Sequence, residues 1–206
     1  MGMSLEFKLF LYLIIVFSAV FHEYMHAWTA NYLGDPTAKN AGRLTLNPLK
    51  HLDFLWTVII PLLLLFFIGG FVGAAKPVPY NPYNLRDQKY GVIKVGLAGP
   101  AANFFIALIF GLFIRFFPLQ GFLHILFTWI IYANIFLGFF NLLPVPPLDG
   151  SKLLMYFMPR SKTFQFLEFS FVGVFLAIAL AIIILPFIAS FFYHLIVGNA
   201  FTGLTF

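Results

Sequence analysis

Residues 9–20 read LFLYLIIVFSAV and residues 21–26 read FHEYMH. The first stretch carries no charge, and the second sets two histidines and a glutamate at its end. An ionisable side chain at membrane depth costs roughly 2.5–3.5 kcal/mol on insertion scales. Three such groups in six residues therefore need a compensating partner. On a helix, residues four apart share a face, so His22 and His26 reach one metal ion together. Glu23 lies beside that face, within reach of a water at the metal. This is the H-E-x-x-H arrangement of zinc hydrolases, in which neutral imidazoles bind zinc and the glutamate moves a proton. The competing reading makes the two histidines caps at the membrane surface.

Composition sets the solvent. The chain has 206 residues, 62% of them hydrophobic and only 9% charged, with 30 Phe and a formal net charge of +5. A soluble domain of this size has no interior large enough for that much apolar surface, so the composition implies an integral membrane protein. There is no cysteine, which excludes disulfides and thiolate metal sites. Nothing in the chain points to a nucleic-acid partner. The expected partner at this point is the lipid bilayer.

Five apolar stretches, 5–33, 53–73, 91–116, 121–143 and 166–193, approach or exceed the roughly 20 residues a spanning helix needs. Polar segments rich in Gly and Pro separate them at 34–52 and 74–90. The expected fold is an all-α polytopic membrane protein. It has four to five transmembrane helices plus a membrane re-entrant segment with room for a short β-strand. A single membrane-embedded domain covers 1–206, with a core over 5–158 and an additional C-terminal helix at 166–193.

A catalytic zinc takes three protein ligands and keeps one position for water. The seven acidic residues are Glu6, Glu23, Asp35, Asp53, Asp87, Asp149 and Glu168. Asp149 stands out because it sits in NLLPVPPLDG, residues 141–150, where Pro144, Pro146 and Pro147 end a long apolar helix. Asp-Gly is also a common turn pair, and from the residues alone both readings of Asp149 remain.

HEYMH followed by NLLPVPPLDG resembles the site-2 protease family of intramembrane zinc metalloproteases. That family pairs H-E-x-x-H with N-x-x-P-x-P-x-L-D-G. GLAGPAANFF, residues 96–105, is similar to the family's small-residue helix, and AKPVPYNPYNL, residues 75–85, looks like a loop of its compact bacterial members. The likeness spans residues 20–150, without a PDZ-like insertion or a CBS-like appendage. It implies one Zn2+ per chain held by His22, His26 and Asp149, with Glu23 as general base. It also implies polar roles near the site for Asn141 and Asn103. Asn141 is the candidate for holding a substrate carbonyl or oxyanion. Asn103 is a candidate substrate contact, or equally a helix–helix bond beside Gly99. The implied activity is hydrolysis of peptide bonds within transmembrane segments of a single-pass substrate, as in regulated intramembrane proteolysis.

The zinc motifs must share one membrane depth. That works when the segment 53–90 enters the membrane and returns on the same side. Lys39, Arg43, Lys50, Lys76, Arg86, Lys89, Lys94, Lys152, Arg160 and Lys162 then share one face, and only Lys8 and Arg115 lie opposite. The rich face reads as cytoplasmic, which puts the active site towards the cytoplasmic side of a bacterial cell membrane. An unwound substrate needs backbone partners. The expected edge lies in GGFVGAAKPVP, residues 69–79, with Phe71, Val72, Gly73 and Ala74 against the substrate; a plain turn is the competing reading. Two other functions compete. A prenyl-peptide protease needs a later glutamate ligand, but Glu168 has no acidic companion. A transporter or channel would more often show two related halves.

Overall fold

In a computed structural model the chain is described over residues 4–61, 63, 76–117, 119–157 and 171–198. Six α-helices are described: α1 Leu5–Tyr32, the short α2 Thr37–Asn40, α3 Gly91–Phe116, α4 Gly121–Leu142, α5 Gly150–Phe157 and α6 Phe171–Val197. No strand occurs among the described residues. α1, α3, α4 and the Phe175–Val197 part of α6 are each long and apolar enough to cross a membrane. The protein is therefore an all-α, multi-pass integral membrane protein, as its composition implies. Of the second apolar stretch, 53–73, Asp53–Pro61 and Leu63 are described, opening with a π-helical turn at Phe54–Ile59. The return of that stretch, and the expected strand at Phe71, Val72, Gly73 and Ala74, lie outside the described residues.

Two compact units emerge, Met1–Gly99 and Pro100–Phe206. In the first, α1 starts at Ser4, whose side chain accepts from the Phe7 N–H at 3.3 Å. It ends at Gly34, which takes the left-handed φ of +106° that favours glycine after a helix. Alanines line its inner face: Ala27 packs with Ala38 and Val78, and Ala30 with Leu85 and Val95. Side chains this small let irregular backbone lie close against a helix.

One carboxylate organises the loops. Asp35, fully buried, accepts from the Thr37 N–H at 3.1 Å and from the Thr37 hydroxyl. It also accepts from the Asn81 N–H at 2.6 Å and the Asn84 amide at 3.0 Å. Burial pushes its carboxyl up, but these hydrogen bonds outweigh burial and hold it below the usual carboxylate range. Asp87 caps α3, accepting from Lys89 and Tyr90 N–H groups and from Lys94 Nζ at 2.6 Å. At the π-helical turn, Pro61 has no N–H to offer the Thr57 carbonyl four residues back, and the Tyr12 hydroxyl donates to it instead.

In the second unit, α4 packs on α6. Ala107, Ile114, Ile131, Ile135, Ala189, Tyr193 and Val197 form its core. Glycine permits the close approaches: a Cβ at Gly111 would stand 2.4 Å from Ile196 Cγ2, and one at Gly138 2.6 Å from the Phe104 ring. Arg115, ending α3, donates to the Leu195 and Ile196 carbonyls, capping the negative end of α6. The outward faces carry large apolar side chains such as Phe105, Ile109, Ile182 and Phe187, which suit lipid.

Candidate metal centre and active site

The helical period of α1 stacks His22 on His26, both buried, at 5% and 7% exposure. Their Nε2 atoms lie 2.9 Å apart and the rings meet edge to face. His26 Nδ1 donates its hydrogen to the Val95 carbonyl on α3 at 2.6 Å. That bond fixes the tautomer, so Nε2 is the lone-pair atom and points toward His22. An imidazole held this way by its second nitrogen is the usual preparation for a metal. The ligand atoms of His22, Glu23 and His26 all lie within 4.8 Å of one another.

Whether these residues fit a zinc ion is decided at Gly99. A Cβ built there would stand 2.4 Å from His26 Nε2 and 2.5 Å from His22 Nε2. Gly99 has no side chain, so the space before both ring nitrogens, which a methyl there would fill, stays open. The donor set, its tautomer and this cradle fit zinc.

Glu23 stands beside the pair. Its Oε2 accepts from the Val78 N–H at 2.8 Å, which fixes the carboxylate next to the two imidazoles.

The remaining candidates belong to the second unit or lie outside the described residues. Asp149 is 8% exposed, in the turn between α4 and α5, and its Oδ1 takes a 2.7 Å ion pair from Lys152. Gly150 follows because a Cβ there would meet the Leu142 carbonyl oxygen at 2.1 Å. Asn141, half-buried in the last turn of α4, donates one amide hydrogen to Leu137 O at 3.0 Å. Its NH2 carries a second hydrogen for another acceptor. Asn103 is fully buried and donates to Asn134 Oδ1 at 2.9 Å, while Asn134 donates to Ile130 O. This is the interhelical bond that stood beside the substrate-contact reading of Asn103. Sequence reasoning passed over Asn134, although an asparagine in an otherwise apolar helix is itself a signal. It also passed over Asp35 and Val78 as parts of the setting of the site.

The sequence model of peptidase family M50 matches residues 10–126 and 119–186. YwhC of Bacillus subtilis (strain 168) is 35% identical over 181 residues, covering 79% of this chain and 77% of its own. Rip2 of Mycolicibacterium smegmatis is 38% identical over 142 residues, 65% of this chain and 51% of its own. Zinc metalloprotease MJ0392 of Methanocaldococcus jannaschii is 27% identical over 177 residues, 86% of this chain. This chain spans 42% of that last relative and about half of Rip2. No solved structure matches. With two adjoining imidazoles, a glutamate beside them and a glycine cradle on a spanning helix, the chain belongs to peptidase family M50, the site-2 protease family, and is a zinc metalloprotease.

Proposed function

We propose that this metalloprotease hydrolyses peptide bonds within the transmembrane segment of a single-pass membrane protein, with its two units acting as one domain and its active site towards the cytoplasm. The carrying observation is the His22–His26 pair, buried on a spanning helix with Glu23 beside it and the Gly99 cradle before it. A site at that place serves a substrate that is itself in the membrane. Ten of the twelve Lys and Arg residues fall on the face read as cytoplasmic, which supports the orientation.

His22 and His26 hold the metal. Asp149 is proposed as the third ligand on the strength of its Pro-broken LDG motif and the family likeness. Zinc, when bound, supplies a Lewis acid that acidifies water and polarises a carbonyl. Glu23 takes the proton from the attacking water and passes it to the departing amine, so no net proton is needed from outside. The second amide hydrogen of Asn141 serves an oxygen that gains charge as the bond breaks.

The test is Glu23→Gln. Purified protein should keep one zinc per chain, since Glu23 is not a ligand, while cleavage of a membrane-embedded reporter is abolished. Cleavage at the native rate by this variant refutes Glu23 as the base. A metal-replete protein that cleaves soluble peptides but no membrane segment refutes the substrate class.

A further inference from the structure

Pro77 and Pro79 have no backbone N–H, so Val78 carries the one amide hydrogen in Pro77–Val78–Pro79. That hydrogen goes to Glu23 Oε2, 55 residues earlier in the chain. The prolines fix their own φ and hold the preceding residue extended, so the direction of the Val78 N–H is largely set by covalent geometry. The Val78 side chain is buried against Ala27 and Ala38, and Ala27 follows His26 directly.

Both ends of the segment are tied. Upstream, the Lys76 N–H donates to His51 O at 2.9 Å, and the Lys76 carbonyl accepts from Arg43 Nη2 at 2.7 Å. His51, itself fully buried, donates its Nε2 hydrogen to Thr45 O at 2.7 Å. Downstream, the Asn81 N–H ends on Asp35 Oδ2. The Arg86 N–H reaches back to Leu33 O at 2.8 Å, closing the loop on the end of α1.

We infer that Pro77–Val78–Pro79 is a backbone clamp that positions Glu23, with Arg43 and Asp35 as its two anchors. The inference rests on the reading of Glu23 as the general base. A free glutamate side chain loses rotamer freedom when fixed, and the clamp removes that freedom before substrate arrives. It also sorts the two oxygens. Oε2 stays an acceptor toward Val78, so the proton taken from water sits on Oε1, the oxygen from which it must leave again. Val78 acts through Glu23 and touches no reacting atom, so it is a positioning residue.

Replacing Val78 by its α-hydroxy acid turns the Pro77–Val78 amide into an ester. This removes one hydrogen and keeps the side chain. The expected result is a fall in kcat of about 10–100-fold, the usual range for a group that orients a functional side chain, with KM and zinc per chain unchanged. A second measurement needs no activity: the Val78 amide should exchange slowly in the native protein and at least about ten-fold faster in Glu23→Ala. Arg43→Ala and Asp35→Asn, each loosening one anchor, should speed the same exchange. Native kcat in the ester variant, loss of its zinc, or unchanged Val78 exchange in Glu23→Ala overturns the clamp. If Glu23→Gln is inactive and the ester variant is not, the clamp alone falls. Native cleavage by Glu23→Gln removes the base reading itself.

Discussion

A single methyl group at Gly99 tests the metal centre without altering any ligand. Its carbon would lie 2.4 and 2.5 Å from the two Nε2 atoms, where ordinary contact begins at 3.4 Å. Each ring must therefore retreat by about 1 Å, and metal sites tolerate about 0.2 Å. His26 cannot retreat at no cost. Its Nδ1 is bonded to Val95, one turn before Gly99 on the same helix, so moving away from one residue stretches the bond to the other. The methyl also takes the space that faces both ring nitrogens. We expect Gly99→Ala to lower zinc affinity at least about 100-fold, the upper end for disturbed orienting groups. The assay is metal content of the purified protein, followed by chelator competition. Gly111→Ala is the control, since its Cβ would also stand 2.4 Å from a neighbour, but that neighbour is Ile196 in the second unit. Both variants should lose stability by about 1–3 kcal/mol through overpacking, and only Gly99→Ala should lose zinc. Native zinc content and cleavage in Gly99→Ala would refute the reasoning.

Three further outcomes are expected. Asp149→Asn should lose both zinc and cleavage, whereas Asp53→Asn and Asp87→Asn should keep both, as metal analysis of the three proteins will show. Asp35, held below its ordinary pKa of about 3.9 in the folded state, stabilises the fold fully above that value. That contribution is lost as pH falls further through the lowered folded pKa, so thermal melting in detergent should drop there more steeply in the native protein than in Asp35→Asn. Single cysteines at Lys39 and Lys89 should be shielded from an impermeant external reagent while one at Gln120 reacts; labelling of Lys39 and Lys89 from opposite sides would break the proposed topology.

What the sequence made legible is what repeats or persists. His22 and His26 declare themselves because four residues return to the same helix face, and α1, α3, α4 and α6 because apolar stretches of spanning length have few other uses. The contacts between Glu23 and Val78, or Asp35 and Asn81, join irregular backbone to residues about fifty positions away. Such bonds follow no period, and Pro77–Val78–Pro79 reads as a plain loop until the direction of its one N–H is known. Asn103 shows the same limit. Its polarity inside an apolar helix was visible, but its partner Asn134, 31 residues on, was not. The likeness to a family made Asp149 the proposed third ligand, where the residues alone left that reading and the turn reading both open.

The 28 residues of α1 make a rod about 42 Å long, against a hydrocarbon layer of about 30 Å. His22 stands ten residues from the end of that rod at Tyr32, about 15 Å along its axis. With the rod centred, the imidazoles sit about 9 Å below the oil–water boundary. Thinning the bilayer by a few ångströms brings them closer to bulk solvent, and thickening it buries them further. Hydrolysis consumes one water for every bond cut, so turnover is expected to depend on acyl-chain length through the distance this reactant has to travel.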